Sequence, residues 1–353
     1  MSQHALPEWL ISLWQDITAR RDRLPHALLL TGAPGSGKRL FAEQLCAALL
    51  CQHPDSDGFA CGQCNACHWL ASGNHPDVLR VVPAADQEEA GEEGEGAETP
   101  TKKEKSRSSQ IVIDQVRAIQ SVLEVGAGGR RVVIVEPAEA MNVAAANAML
   151  KMLEEPGQGT VFLLVCHAPR RLLPTILSRC QRIDFGRPSA AQVKNWVAGC
   201  GIKDAEALLG FCSGLPLLVE RMHQQGLDEA RRQFATELVR LPNSDPLKLA
   251  AQWETRLKAK DADERGLSLA LLISWIQRWL ADGARVANGI APRFYLDYQT
   301  ELAALSNGRS EAWTACFREF HTYRGVAQHP LNLRLFLEEM LLVLHRRTTV
   351  VRR

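Results

Sequence analysis

Residues 32–39, which read Gly-Ala-Pro-Gly-Ser-Gly-Lys-Arg, have the spacing of a phosphate-binding loop. In such a loop, backbone N–H groups at the start of a helix hold phosphate oxygens, and the lysine contacts the β- and γ-phosphates. Gly32, Gly35, Gly37 and Lys38 match this pattern. Arg39 stands where a Ser or Thr hydroxyl normally binds Mg²⁺. The sequence therefore predicts a loop that can hold phosphate but lacks one ligand of the metal.

The acidic part of a nucleotide site is expected at the end of a buried strand farther along the chain. Here the apolar run 132–135 is followed by Glu136 and Pro137. Hydrolysing enzymes of this type normally have Asp-Glu at these places, so that one carboxylate holds the metal and the other positions the attacking water. Glu136 keeps one carboxylate, whereas Pro137 offers none. ATP binding thus stays open, and ATP hydrolysis is not expected because catalysis needs all of these groups together.

Four cysteines cluster with the pattern C-x9-C-x2-C-x2-C. They are Cys51, Cys61, Cys64 and Cys67. Four thiolates at this spacing favour a closed tetrahedral zinc site, which would be structural and not catalytic. A redox pair would need only two cysteines, and iron–sulfur clusters usually have other spacings. We interpret the nearby His68 and His75 as surface or turn residues.

Strand and helix patterns alternate over the first half of the chain. Apolar runs at 26–30, 78–82, 132–135 and 161–165 predict buried strands. The segments 40–49, 114–123 and 144–155 have helical spacing. This alternation predicts a parallel sheet with both faces covered, in an α/β domain over residues 1–186 that contains a zinc module at 51–67.

Residues 84–110 contain an acidic block followed by a basic one and have no large apolar side chain. Such a segment cannot bury enough surface to offset the entropy lost on ordering, so the composition predicts a disordered loop. An interaction tail is the alternative interpretation.

The overall charge limits the function classes. The chain has 41 basic and 40 acidic residues, a formal net charge of +1, and so no general affinity for nucleic acid is expected. Any DNA contact should be local or shared with partners. The first residues lack a secretory signal pattern, and no apolar run approaches the roughly 18 residues of a membrane span. We therefore expect a soluble, cytoplasmic protein without a membrane contact.

The strand pattern disappears after about residue 187, and helical periodicity replaces it. This change predicts a small helical domain at 187–226 and a second all-α domain at 227–353. Within the latter, apolar residues spaced by three and four predict one buried helix face, comprising Leu267, Leu271, Leu272, Trp275, Ile276 and Trp279.

Two motifs carry a resemblance to a known family. Residues 147–156, Asn-Ala-Met-Leu-Lys-Met-Leu-Glu-Glu-Pro, and the triplet Ser178-Arg179-Cys180 resemble signatures of the bacterial clamp-loader branch of AAA+ proteins. The four-cysteine module is also similar to one that this family carries. The resemblance implies an AAA+ phosphate-loop domain at 1–186, a lid domain at 187–226 and a C-terminal collar domain for oligomerisation at 227–353.

The same resemblance implies a role for the triplet. Arg179 would be an arginine finger that enters the ATP site of a neighbouring subunit, and Ser178 and Cys180 would fix its loop. The resemblance also places the first sensor of an active ATPase near Cys166 or His167. Pro216 falls where an active subunit carries a second-sensor arginine.

These implications lead to three function hypotheses. The first is a non-hydrolysing clamp-loader subunit of the DNA polymerase III holoenzyme, with no ATPase or polymerase activity of its own. It would act in replication with the tau/gamma and delta subunits to place the sliding clamp on primed DNA. The second is an active or switch-like AAA+ ATPase that binds nucleotide through Lys38. The third, a zinc-dependent DNA-binding module acting alone, is disfavoured by the neutral charge.

Overall fold

The computed structural model describes residues 6–86, 108–124, 129–306, 309–326 and 332–348. The chain divides into two compact units, Met1–Arg187 and Pro188–Arg353. Residues 87–107 of the predicted disordered loop lie outside the described residues, so that interpretation stays a prediction.

The first unit is built on one parallel sheet. Its strands are β1 (Ala27–Gly32), β2 (Val78–Val81), β3 (Arg131–Val135), β4 (Thr160–Cys166) and β5 (Gln181–Phe185). They lie in the order β2-β3-β4-β1-β5, and every neighbouring pair is parallel. The predicted parallel α/β architecture is therefore confirmed.

Helices cover both faces of this sheet. They are α1 (Glu8–Thr18), α2 (Lys38–Leu50), α3 (Asn65–Ala71), α4 (Ile113–Glu124), α5 (Val143–Glu154) and α6 (Pro174–Leu177). One face of β1 carries Leu28 and Leu30, which share a core with α1 and α2. The opposite face carries Leu29, which shares a core with α4 and α5. Burial on both faces explains why β1 is continuously apolar and does not alternate with polar residues.

The strand register places the candidate residues at one edge of the sheet. Thr31 of β1 pairs with Cys166 of β4, and Val135 of β3 pairs with Leu164 of β4. The phosphate-binding loop, Glu136 and the end of β4 therefore meet at the carboxyl ends of the strands, where open α/β sheets usually bind ligands.

The second unit is helical throughout its described residues. Its helices are α7 (Ala190–Cys200), α8 (Ala205–Phe211), α9 (Pro216–Gln224), α10 (Leu227–Arg240), α11 (Pro246–Leu257), α12 (Lys260–Glu264), α13 (Leu269–Ala287), α14 (Gln299–Ser306), α15 (Ser310–Val326) and α16 (Leu333–Thr348). A single hydrophobic cluster extends from Leu208 to Leu344. Trp275 and Trp279 are buried in it, which confirms the predicted apolar face of α13. The division near residue 226 into lid and collar stays a prediction. None of the described helices has the length and apolar character needed to span a bilayer.

A buried carboxylate fixes the loop after α13. Asp282 is 0% exposed, and its two oxygens accept hydrogen bonds of 2.7 Å from the backbone N–H groups of Arg293, Phe294 and Tyr295. Three donors thus depend on one side chain. Because Tyr295 itself is buried beside Trp279, this loop is part of the core of the second unit.

We expect Asp282→Ala to lower the free energy of unfolding of the second unit by about 3 kcal/mol, since it leaves three backbone donors, that of buried Tyr295 among them, without their acceptor. Urea unfolding followed by tryptophan fluorescence measures this change, because Trp275 and Trp279 lie in the same core. The exposed Asp263→Ala is the matched control and should change stability by less than about 0.5 kcal/mol. Equal effects of the two substitutions would contradict the proposed role of Asp282.

Candidate functional site

The phosphate-binding loop has the conformation that its glycines predict. It connects the end of β1 to the start of α2, where Gly37 is the N-cap residue and has φ 95°. A side chain at Gly32 would place its Cβ 2.7 Å from the carbonyl oxygen of Phe185. Glycine is therefore required at residue 32 by a close approach of β5, and at residue 37 by the left-handed backbone.

Lys38 is directed into its own loop. Its Nζ donates to the carbonyl oxygens of Gly32 and Ala33, at 2.8 and 2.7 Å, and to Ser36 Oγ at 3.2 Å. The lysine is only 2% exposed. Burial lowers the pKa of Lys38 to about 8, against the opposing effect of the carboxylates of Glu139 and Glu136. These three acceptors bind the ammonium group of Lys38, which in an ordinary phosphate-binding loop contacts the phosphates.

Arg39 and Glu136 form an ion pair beside this loop. Arg39 Nε lies 3.4 Å from Glu136 Oε2, with the arginine side chain 71% exposed and the glutamate 16% exposed. Burial raises the pKa of Glu136, and the positive charge of Arg39 opposes that shift. The two residues at the expected metal-binding positions therefore contact each other. Since a guanidinium cannot ligate a cation, Arg39 supplies a charge here and no metal ligand.

Arg179 lies in the segment between α6 and β5. Its Nη1 donates to the carbonyl oxygen of Thr175 at 3.0 Å and contacts Ser178 Oγ at 3.5 Å, while Nη2 donates to Glu154 Oε1. Ser178 Oγ donates to the same Thr175 oxygen at 3.0 Å. Among the described residues, the hydrogen-bond partners of Arg179 include none from the loop 32–39. The arginine and the phosphate-binding loop are therefore not brought into contact within one chain.

Cys180 contributes packing at this position. The thiol is half-buried against the core between the sheet and α5, and burial raises the pKa of Cys180 to about 11. It is therefore neutral near pH 7 and is not an activated nucleophile. Ser178 is hydrogen-bonded to Thr175 and Cys180 packs against the core, and the part of both residues in fixing the loop of Arg179 stays a prediction.

The four predicted cysteines converge on one point. Their sulfur atoms all lie within 4.8 Å of one another. Cys51 and Cys64 are 3.9 Å apart, Cys61 and Cys67 4.0 Å, and Cys64 and Cys67 3.5 Å. Tetrahedral zinc with bonds of about 2.3 Å would separate its sulfur ligands by about 3.8 Å. The donor set and its dimensions therefore fit zinc.

The loop that carries the first two cysteines is attached to the N-terminal helix. Trp14 stacks on Phe59 with ring centroids 4.4 Å apart, and its Nε1 donates to the Asp57 carbonyl at 3.0 Å. Arg21 Nη2 donates to the Cys51 carbonyl at 3.2 Å. These contacts hold the cysteine loop on the first unit without involving a metal.

Comparison with known proteins identifies the family. The profile described as DNA polymerase III, delta subunit, matches residues 8–189. The DNA polymerase III subunit delta' of Pseudomonas aeruginosa is 39% identical over 83% of this chain and 90% of that protein. The chain belongs to the delta' family of DNA polymerase III. Delta' subunits of Yersinia pestis and Escherichia coli are 31% and 29% identical, each over 80% of this chain and 77% and 76% of their own lengths.

The part of the chain that this profile matches contains all of the predicted site residues, from Gly32 to Cys180. A more distant similarity joins the chain to the DNA polymerase III subunit tau of Bacillus subtilis, with 29% identity over 47% of this chain and 25% of that protein. About half of this chain is therefore similar in sequence to a subunit that has a different name, tau.

Sequence reasoning gave no role to Glu139, which contacts the end of β4. Its carboxylate oxygens accept from the backbone N–H of His167 at 3.0 and 3.1 Å. Burial and the nearby Glu139 carboxylate together raise the pKa of the neighbouring Cys166 thiol to about 12. At the expected first-sensor position of this delta' family member, Glu139 therefore fixes the backbone of His167, and the neighbouring Cys166 is a neutral thiol. In the sequence, the only signal that could have pointed to a role for Glu139 is its position three residues after Glu136.

Proposed function

We propose that this delta' family chain is a non-hydrolysing clamp-loader subunit of DNA polymerase III and provides Arg179 to the ATP site of a neighbouring subunit. The proposal rests on the different environments of two cationic side chains, Lys38 and Arg179. Lys38 is 2% exposed and bonded to its own loop, whereas the Arg179 side chain is 34% exposed and has no partner in that loop among the described residues.

The state of the chain's own loop supports the non-hydrolysing role. A nucleotide entering here would have to replace three hydrogen bonds of Lys38 and would meet the Arg39–Glu136 ion pair at the expected metal position. Neither Arg39 nor Pro137 provides the oxygen ligand or base that phosphoryl transfer requires. The loop then acts as a structural connection between β1 and α2.

The position of Arg179 supports action on another subunit. A guanidinium has a permanent charge and five N–H donors, which suits it to the charge that develops on a transferred phosphoryl group. Ser178 and Cys180 hold the backbone on both sides of the arginine. The partner would bind the ATP, and this chain would complete the partner's catalytic site by contributing Arg179.

We further propose the assembly that the family relationship implies. The partners are the ATP-hydrolysing tau/gamma subunits and the delta subunit, and the assembly places the sliding clamp on primed DNA in the cytoplasm. Residues 187–226 would form the lid domain, and the helices of 227–353 would form the collar through which subunits associate. The similarity to subunits named tau and tau/gamma supports partners of a related fold.

The cysteine cluster is proposed to hold one structural zinc ion through Cys51, Cys61, Cys64 and Cys67. With four sulfur ligands the ion would have no open position for substrate. A hydrogen bond from the backbone N–H of Gln63 lowers the pKa of Cys61, whereas burial raises the pKa of Cys51 and of Cys67. Zinc would therefore displace protons from the latter two thiols on binding. The ion would stabilise the loop between α2 and α3.

The competing proposal is an ATPase that works alone, and it has a direct test. We expect the isolated chain to release phosphate from Mg²⁺-ATP no faster than a Lys38→Ala variant, whereas the complex with tau/gamma and delta should hydrolyse ATP rapidly when clamp and primed DNA are added. Turnover by the isolated chain that Lys38→Ala abolishes would support the active ATPase instead.

A further inference from the structure

Among the described residues, Arg179 has one side-chain partner that is distant in sequence. Its Nη2 donates to Glu154, which lies 25 residues earlier. The other two contacts of the guanidinium, with Thr175 and Ser178, are local. Thr175 and Ser178 belong to the same short stretch of chain as Arg179, so they do not fix its position relative to the rest of the first unit. Of the three contacts, only the one with Glu154 does so.

Glu154 is the last residue of α5, and this end of the helix is well anchored. The preceding Leu153 is 1% exposed, and its carbonyl oxygen lies 2.9 Å from His26 Nε2. His26 directly precedes β1, and its own carbonyl accepts from the N–H of Phe162 in β4 at 2.7 Å. The Glu154 backbone is therefore fixed relative to β1 and β4.

The Arg179–Glu154 contact leaves the guanidinium able to bind a further anion. Glu154 takes one hydrogen of Nη2, and Thr175 and Ser178 face the hydrogens of Nη1. Of the five donors of the guanidinium, the N–H of Nε and the second hydrogen of Nη2 are not used by these contacts. Both side chains are partly exposed, 34% for Arg179 and 49% for Glu154, so a phosphate could approach without first burying the pair.

We infer that Glu154 is a positioning residue for Arg179, which restricts the arginine side chain to the orientation used in a neighbouring ATP site. This inference rests on the proposed function. A free arginine side chain loses rotamer entropy when a phosphate orders it, and a partner that orders it beforehand reduces that loss. Exposed pairs of this kind are weak, so the loss of Glu154 should slow ATP hydrolysis by about two- to fivefold.

The test uses the complete clamp loader assembled with Glu154→Ala, Glu154→Gln, Arg179→Ala and the double variant Glu154→Ala/Arg179→Ala. Single-turnover phosphate release is measured as a function of ATP concentration with clamp and primed DNA present, and assembly by size-exclusion chromatography. Glu155→Ala is the matched control, because it removes the neighbouring carboxylate, which has no described contact with Arg179.

We expect Glu154→Ala to lower the maximal single-turnover rate at the affected site two- to fivefold, with the ATP concentration for half-maximal rate and assembly unchanged. Glu154→Gln should retain part of the rate, and Glu155→Ala should match wild type. The double variant should equal Arg179→Ala, because Glu154 acts only through the arginine. If Arg179→Ala has no effect, the proposed function and this inference both fail. If Arg179→Ala slows hydrolysis while Glu154→Ala is unchanged, faster, or equal to Glu155→Ala, only the inference fails.

Discussion

Replacing Arg179 with alanine should reduce ATP hydrolysis at the site that receives this side chain by about 10³-fold, while the clamp loader still assembles. The magnitude is that of an arginine finger supplied by one protein to another. The measurement is single-turnover phosphate release by the reconstituted complex with clamp and primed DNA, together with subunit stoichiometry. A single-turnover experiment resolves the affected site, whereas a steady-state rate would average over every ATP site of the complex.

The expected effect has an electrostatic cause. Negative charge spreads over the transferred phosphoryl oxygens in the transition state, and a guanidinium placed beforehand stabilises it where partner subunits exclude water. The backbone around Arg179 is held by buried Ile176 on one side and by half-buried Cys180 on the other. Alanine at residue 179 removes only the exposed side chain, so we expect the fold of the first unit to persist.

Two further variants make this prediction specific. Arg179→Lys keeps the charge but loses the planar fork, so its rate should lie between wild type and Arg179→Ala. Arg182→Ala should match wild type, because Arg182 is bonded within the chain to Asp184 at 2.7 Å and to Thr31 at 3.2 Å. A wild-type rate for Arg179→Ala in a fully assembled complex would refute the arginine-finger role.

The parts of the molecule that could be predicted from sequence are those determined by local patterns. The glycines and Lys38 lie within seven residues, so the loop conformation follows from short-range geometry. The four cysteines span residues 51–67 and can meet whatever the rest of the chain does. The continuously apolar run at β1 indicated a parallel strand buried on both faces, which the sheet confirms. Helix α1 was not predicted, although Leu10, Trp14 and Ile17 have helical spacing and are buried.

The contacts that define the site depend on long-range packing and could not be read from sequence. The loop motif does not tell whether Lys38 points toward a ligand or back to the carbonyls of Gly32 and Ala33. The pairing of Glu154 with Arg179 joins residues that belong to two separate motifs. Their proximity results from the packing of α5 against α6, and no periodicity in the chain encodes it.

Removal of zinc should be the largest structural perturbation of the first unit. We expect wild-type protein to contain one zinc ion per chain and Cys64→Ser to contain less than about a tenth of that amount. Amide hydrogen exchange over residues 51–71 should rise by at least about 100-fold in Cys64→Ser, since structural zinc sites can supply more than about 10 kcal/mol to a small module. Metal analysis and exchange mass spectrometry measure the two effects.

The magnitude follows from the packing of the module. Its small core consists of Cys51, Ala60 and Cys67, with Cys61 and Cys64 packed against them, so the ligands themselves form most of the apolar cluster. Without the ion, four thiols would remain in contact, and that contact supplies far less stabilisation than four metal bonds. The α/β sheet has two separate cores, so its protection from exchange should persist.

Cys200→Ser is the matched control for the loss of a thiol. Cys200 lies at the end of α7, outside the cluster, and its Sγ donates to the Val197 carbonyl at 3.4 Å. This variant should retain full zinc content and wild-type exchange at 51–71. If Cys64→Ser binds zinc as wild type does, or if wild-type protein purified under reducing conditions contains none, the cluster is not a zinc site. In that case the attachment of the loop through Trp14 and Arg21 would be what holds residues 51–61 in place.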